Sequence, residues 1–170
     1  MYKVRIKHIA MKELELITKV SIYDWDELSD SDRELVETAK RATTTAYAPY
    51  SNFFVGAAAR LDNGIIVQGS NQENAAFPSG LCAERTTLFH ANAQYPQQAV
   101  TDLAVAAYCN GKFLKSPIPP CGACRQVMLG VEERYSRPLR VLLYGEDGTY
   151  VVRTVKELLP LQFTGETMTE

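Results

Sequence analysis

The sequence predicts an α/β fold, a three-layer α-β-α sandwich around a five-stranded mixed sheet. Predicted strands and helices alternate through the middle of the chain, as they do when helices cover a sheet. Residues 101–108 are nearly all apolar, which is typical of a central strand covered on both faces. Only residues 145–148 separate the last two predicted strands, and so short a link joins antiparallel neighbours. We therefore expect the fifth strand to run antiparallel to the fourth.

One globular domain is expected, because 170 residues with 46% hydrophobic content can bury one sizeable core but not two. We assign this domain to residues 29–170, and residues 1–28 precede it as an N-terminal extension. The extension alternates weakly between apolar and polar residues, which predicts one or two strands ahead of the core. Its apolar residues are Val4, Ile6, Leu14, Leu16, Val20 and Ile22.

The first helix of the domain is predicted over residues 31–47. Ser31 can cap a backbone N–H group at its start, and Glu34 can reach back to complete a capping box. Pro49 then ends the helix. Residues 53–61 follow as the first strand, and their small side chains permit close packing of the layer above.

A hairpin is predicted at Asp62-Asn63-Gly64, because an Asn-Gly step supplies the positive φ angles that a two-residue turn needs. Residues 65–69 should therefore return antiparallel to the first strand. The remaining elements are predicted as a helix over 82–94, the central strand 101–108, a helix over 121–134 and strands over 139–144 and 149–153. A short final helix runs through Leu159 and ends at Pro160.

The charge pattern argues against a nucleic-acid partner. The net charge is −2, and no run of Lys and Arg gathers on any predicted element. The first ten residues lack the uninterrupted apolar stretch of a signal peptide or membrane span, so we expect a cytoplasmic protein without a membrane partner. Thiols stay reduced in the cytoplasm, which makes the four cysteines metal ligands, catalytic groups or core residues rather than disulfide partners.

Three of these cysteines have the arrangement of a catalytic metal site. Cys82 opens one predicted helix, and Cys121 and Cys124 open another, so three thiols can converge from two helix N-termini. Three protein ligands leave the fourth tetrahedral position of zinc for water. A Cys-x-x-Cys pair by itself is at least as consistent with a redox pair or a structural zinc knuckle as with a catalytic metal site. Neither alternative requires the upstream Cys82 or a neighbouring carboxylate.

Two residues beside Cys82 have the chemistry that such a site needs. Three thiolates and one Zn²⁺ have a net charge of −1, which would weaken the effect of the metal on the pKa of its bound water. The two helix N-termini and hydrogen bonds from Arg85 to the sulfurs can offset that charge. Glu84 is the candidate proton shuttle, acting first as general base and then as general acid.

These residues resemble the cytidine deaminase family, in the branch whose first zinc ligand is Cys rather than His. The signature of a ligand, a nearby Glu and a later Pro-Cys-x-x-Cys is that of zinc deaminases. The resemblance covers residues 31–163 and includes Tyr47-Ala48-Pro49-Tyr50-Ser51, Asn71-Gln72-Glu73-Asn74-Ala75, residues 121–127 and Glu157-Leu158-Leu159-Pro160. It implies one Zn²⁺ per subunit and hydrolysis of free cytidine and 2′-deoxycytidine to uridine and 2′-deoxyuridine in pyrimidine salvage.

The resemblance also implies how the substrate is held. Asn71 and Glu73 match the pair that hydrogen-bonds the ribose 3′-hydroxyl. Phe53 matches the aromatic residue that flanks the pyrimidine. Ala83, through its backbone, and Glu84 match the groups that recognise the base. Taken one at a time, Phe53 is equally consistent with a core residue and Asn71 with a turn residue.

Phe77 and Phe163 match residues that neighbouring subunits contribute in the homotetrameric branch of the family. We therefore expect a homotetramer whose active sites are completed across subunit boundaries. Family members more often carry Tyr where this chain has Phe77, so the hydrogen bond of that hydroxyl is missing here.

Three other functions remain open at this point. A related enzyme acting on another aminopyrimidine, such as an antibiotic, is disfavoured by the ribose contacts. A polynucleotide deaminase is disfavoured by the antiparallel fifth strand and by the missing basic patch. A zinc domain without turnover is disfavoured by Glu84, because binding alone gives no reason to place a carboxylate beside the metal.

Overall fold

The computed structural model of the chain describes residues 14–168, apart from the side chains of residues 166 and 167. The described residues form one mixed sheet of seven strands: β1 (Ser21–Tyr23), β2 (Phe54–Leu61), β3 (Ile66–Ser70), β4 (Val100–Cys109), β5 (Lys112–Phe113), β6 (Arg140–Leu143) and β7 (Thr149–Val152). The α-helices are α1 (Asp30–Ala42), α2 (Ala83–Gln94) and α3 (Gly122–Tyr135). The strand order is β1-β7-β6-β4-β2-β3, with β5 paired to β4. The α/β class is confirmed.

Helices cover both faces of the sheet, because successive strand residues point to opposite sides. On one face α1 buries its apolar stripe against Ala58, Ala104, Ala106 and Leu142. On the other face α2 and α3 pack against Ala57, Leu103, Val105 and Val141. The predicted three-layer sandwich and its doubly covered central strand are therefore confirmed.

Strand directions follow the lengths of the connections. The pair β4–β6 is parallel, and α3 forms the crossover between the two strands. The pair β6–β7 is antiparallel, as predicted from its short turn. The pairs β1–β7, β2–β3, β2–β4 and β4–β5 are antiparallel as well.

The start of α1 differs from the prediction. Its N-cap is Ser29 rather than Ser31, because Ser29 has extended backbone angles and its side chain accepts a hydrogen bond from the Asp32 N–H at 3.1 Å. Ser31 lies inside the first turn. The helix ends at Ala42, and a 3-10 turn, Thr43–Thr45, replaces its predicted last residues.

The β2–β3 hairpin is present, but its turn is longer than predicted. Of Asn63 and Gly64, only Gly64 has a positive φ, 86°. The Gly64 N–H donates to the Leu61 carbonyl at 2.9 Å, and Leu61 pairs with Ile65 across three loop residues. A three-residue loop needs one left-handed position rather than two, and Gly64 supplies it.

The ends of the chain also depart from the predictions. β1 lies in the extension, where strands were expected, whereas Val4 and Ile6 lie outside the described residues. The two-residue β5 was not predicted. The expected final helix is a single 3-10 turn, Val155–Glu157. Among the described helices, none has the length and apolar character needed to cross a membrane.

Candidate active site

Three thiols meet where the N-termini of α2 and α3 approach each other. Cys82 and Cys121 are the N-cap residues of these helices, with extended backbone angles and no capping bond from their side chains. Cys124 lies one turn into α3. The Sγ atoms of Cys82 and Cys121 are 3.8 Å apart, and those of Cys121 and Cys124 are 3.5 Å apart.

The spacing of the three sulfurs fits a tetrahedral zinc ion. Around zinc with Zn–S bonds of about 2.3 Å, neighbouring sulfurs lie about 3.8 Å apart. All three Sγ atoms lie within 4.8 Å of one another. Within residues 14–168 they form the only group of three or more His, Cys, Asp or Glu ligand atoms so close together.

Electrostatics favour a cation at this position. The hydrogen bond from the Cys124 thiol, helped by the Arg85 guanidinium 3.8 Å from Sγ, lowers the pKa of Cys82 to about 5. The Cys82 thiolate and burial in turn raise the pKa of Cys124. Three sulfurs this close cannot all ionise unless a positive ion lies between them. A bound Zn²⁺ would supply that charge, since a coordinating thiol is deprotonated.

Glu84 lies in the first turn of α2 and is 4% exposed. Burial raises the pKa of its carboxyl, and the negative charge of Cys82 adds to this effect. Ala83 is fully buried at the first position of α2, where the backbone N–H has no partner within the helix. Both residues predicted to recognise the base thus lie beside the thiols in the sequence and at the same helix N-terminus.

Cys82 lines an open pocket of about 530 Å³, a volume in the range of small-molecule sites. It runs between the loop before β2 and the segment after β3. Its lining includes four of the predicted site residues besides Cys82, namely Asn71, Glu73, Phe77 and Arg85. Of the three candidate metal ligands, Cys82 therefore shares a cavity with the candidate ribose contacts, whereas Cys121 and Cys124 do not line it.

Glu73 is tied to the loop before β2. Its Oε2 accepts hydrogen bonds from the Tyr50 N–H at 2.9 Å and the Ser51 N–H at 3.3 Å, and its Oε1 accepts one from the Ser51 hydroxyl. The Ser51 hydroxyl and the Tyr50 amide lower the pKa of Glu73. The carboxylate is therefore ionised at neutral pH and acts only as an acceptor.

Asn71 ties the same two segments together. Its Oδ1 accepts from the Val55 N–H at 2.8 Å, and its Nδ2 donates to the Phe53 carbonyl at 2.9 Å. The Asn71 amide thus fixes the backbone on both sides of Phe54. One Nδ2 hydrogen remains for a ligand.

The three predicted aromatic contacts lie in different places. Phe53 packs against the core formed with α2 and α3 and does not line the open pocket. Phe77 lines the pocket but is 73% exposed, with its ring edge against Tyr50 at a centroid distance of 5.6 Å. Phe163 is 58% exposed and lies outside this pocket, and Gln126 donates to its carbonyl at 2.9 Å.

Sequence reasoning assigned no role to several lining residues: Tyr50, Ser51, Gln72, Asn74, Gly80 and Leu81. Pro49 and the polar residues after it indicate a turn, but a local pattern says nothing about its partners. Ser51 meets Glu73 across 22 residues of chain. Only the pairing of the two loops in the fold reveals that contact.

Comparison with known proteins identifies the family. A sequence model described as the cytidine and deoxycytidylate deaminase zinc-binding region matches residues 29–135, more than half of the chain. The matched stretch contains all three clustered cysteines. The chain belongs to the cytidine deaminase family. The resemblance found in the sequence is thereby confirmed.

Three members of the cytidine deaminase family match this chain along most of their length. The cytidine deaminase of Halalkalibacterium halodurans is 41% identical over 140 residues, which covers 82% of this chain and 99% of the relative. That of Sporosarcina psychrophila is 39% identical over 133 residues, covering 78% and 91%. Among solved structures, the cytidine deaminase of Burkholderia pseudomallei is 42% identical with a TM-score of 0.63, covering 76% of this chain and 97% of that one.

Proposed function

We propose that the protein is a zinc-dependent enzyme that hydrolyses free cytidine and 2′-deoxycytidine to uridine and 2′-deoxyuridine, with release of ammonia, in pyrimidine salvage. The observation that carries this proposal is the meeting of Cys82, Cys121 and Cys124 at two helix N-termini. The buried Glu84 lies in the first turn of α2, the helix that Cys82 caps. The similarity to proteins named cytidine deaminase, along nearly the whole length of a relative, supports the substrate class.

The chemistry divides between the metal and the protein. When bound by the three thiolates, zinc would supply a water molecule whose pKa is low enough for attack at neutral pH. Glu84 takes a proton from the attacking water and delivers it to the N3 ring nitrogen. A second proton passes through Glu84 to the amino group at C4, which leaves as ammonia when the C4–N bond breaks. Arg85 holds negative charge on Cys82 through its 3.8 Å contact.

The remaining site residues hold the nucleoside. Glu73 and Asn71 bind the ribose 3′-hydroxyl in the pocket that Cys82 also lines. Ala83 offers its free backbone N–H to the base, and Phe53 flanks the ring. Phe77 and Phe163, both largely exposed in the single chain, complete the sites of neighbouring subunits in a homotetramer.

A metal analysis paired with a substrate panel tests the proposal. The panel contains cytidine, 2′-deoxycytidine, an aminopyrimidine antibiotic and a cytosine-containing oligonucleotide, with and without a chelator. We expect about one zinc per chain, ammonia release from the two free nucleosides only, and loss of that release when zinc is removed. Turnover of the antibiotic or the oligonucleotide alone would contradict the substrate assignment, and a zinc protein with no turnover would contradict catalysis.

A further inference from the structure

Ser51 connects the backbone before β2 to the carboxylate of Glu73. Its Oγ accepts a hydrogen bond from the Phe53 N–H at 3.1 Å and donates one to Glu73 Oε1. Because the ionised Glu73 carboxylate can only accept, the single Ser51 hydroxyl proton points at Glu73. The loop that carries Ser51 is closed by the Asn52 N–H, which donates to the Ala48 carbonyl at 3.0 Å.

The acceptor sites of Glu73 are nearly all in use. An ionised carboxylate has about four lone-pair sites. Tyr50 N–H and Ser51 N–H occupy two on Oε2, and the Ser51 hydroxyl occupies one on Oε1. One site on Oε1 remains, on a side chain that lines the open pocket.

We propose that Ser51 is a positioning residue, whose hydroxyl orients the Glu73 carboxylate so that its one remaining acceptor site takes a single hydroxyl of the substrate sugar. This inference rests on the proposed nucleoside substrate and adds the selection of one sugar hydroxyl. The two backbone donors hold Oε2 whichever side chain stands at position 51. Without the Ser51 hydroxyl, Glu73 therefore stays in place, but no donor fixes the position of its Oε1 atom.

The kinetic test compares Ser51→Ala with Ser51→Thr, which keeps the hydroxyl, using the zinc-loaded enzyme. Ser31→Ala, an exposed serine in the first turn of α1, is the control. The substrates are cytidine, 2′-deoxycytidine and 3′-deoxycytidine. For Ser51→Ala we expect KM to rise about fivefold for the first two substrates and to stay unchanged for 3′-deoxycytidine, with kcat changed less than KM. Ser51→Thr and Ser31→Ala should match the unaltered enzyme.

A KM increase of equal size on all three nucleosides would overturn the inference, because Ser51 would then act on something other than one hydroxyl. A loss that Ser51→Thr does not restore would overturn it as well. If the unaltered enzyme deaminates none of the three, the proposed function fails instead. These outcomes separate the two proposals.

A second measurement does not depend on activity. Carboxyl-carbon NMR follows the titration of Glu73 in the unaltered protein and in Ser51→Ala. Loss of the hydroxyl donor should move the Glu73 pKa upward, toward its ordinary value. The other titratable side chains lining the pocket, Tyr50, Cys82 and Arg85, are the same in both proteins. An unchanged Glu73 titration would show that Ser51 does not hold the carboxylate.

Discussion

Position in the fold, rather than residue type, separates the three clustered cysteines from the fourth. Cys109 ends β4, away from the cluster, whereas Cys82 and Cys121 occupy N-cap positions and Cys124 the first turn of α3. The sequence predicted this difference because two helix starts with Cys at or near the cap can be read locally. It left the role of Ser51 unpredicted, since that role depends on a loop contact far along the chain.

Cys121→Ser should release zinc while the protein stays folded. The Cys121 side chain is exposed, so its replacement disturbs little packing, and a neutral hydroxyl does not replace a thiolate ligand. We expect bound zinc to fall from about one per chain to near zero by metal analysis. Cys109→Ser is the matched control and should keep its zinc. Equal zinc content in the two variants would argue against the three-sulfur site.

Glu84→Gln should keep zinc but lose turnover. The amide has nearly the same shape as the carboxyl, yet it cannot carry protons between water, N3 and the leaving amine. We expect kcat to fall about 10²- to 10⁴-fold, with the metal content unchanged. Glu133→Gln, on the exposed part of α3, is the control. Near-normal kcat in Glu84→Gln would contradict the proton-shuttle role.

The secondary-structure elements place the site through two close approaches. Gly56 lets β2 lie directly against α1, and Gly69 lets β3 approach Thr87 of α2. The run of small residues in β2 predicted close packing, but it did not show which helix lies above each residue. The cap of α1 was misplaced because Ser29 and Ser31 are both good capping residues, and the chain's path before the helix decides between them.

Gly56→Ala should destabilise the fold strongly. A Cβ at Gly56 would lie 2.1 Å from the Ala39 carbonyl oxygen and 2.6 Å from the Thr43 nitrogen, and backbone atoms cannot move aside cheaply. We expect a loss of about 3 kcal/mol in the free energy of unfolding. Gly130→Ala is the control, because a Cβ added at this position of α3 would have no atom within 4 Å outside the neighbouring helix backbone. Its free energy of unfolding should rise by about 0.5–1 kcal/mol. Denaturant unfolding measures both, and equal stabilities would contradict the close contact.

Glu132→Gln should also destabilise the protein. The buried Glu132 carboxylate accepts from the backbone N–H groups of Leu139 and Val155 and from the Thr154 hydroxyl, and so joins α3 to the residue before β6 and to the 3-10 turn Val155–Glu157. The single oxygen of Gln can keep the two backbone N–H bonds, but its NH₂ group then replaces the oxygen that accepts from the Thr154 hydroxyl, and the negative charge that strengthens these bonds is lost. We expect a loss of about 2 kcal/mol by denaturant unfolding. The exposed neighbour in Glu133→Gln should change stability by less than about 0.5 kcal/mol.

At the scale of the whole molecule, large apolar side chains remain on the surface of the single chain. Phe77, Leu161 and Phe163 are 73%, 84% and 58% exposed, and Phe77 lies at the mouth of the candidate site. Large exposed apolar side chains can mark surfaces that another protein covers. This arrangement is consistent with sites completed by neighbouring subunits.

We expect a homotetramer in solution. Light scattering of the purified protein should give about four times the mass of one chain, and Phe77→Ala should raise the KM for cytidine. Leu14→Ala is the control, because Leu14 is exposed and does not line the pocket. This substitution should leave the KM for cytidine unchanged. A fully active monomer would contradict the shared sites.

The sequence alone determined the α/β sandwich, the antiparallel last pair of strands and the three cysteines with Glu84, because periodicity, turn length and helix-start motifs are local properties of the chain. Tertiary structure decided what depends on contacts between distant segments. These are the pairing of β1 with β7, the hydrogen bonds that bind Ser51 and Asn71 to other segments around the pocket, and the 3.8 Å approach of the Cys82 and Cys121 sulfurs. Such contacts form only when packing of the core brings segments that are distant in the sequence into register, and no short window of sequence records that register.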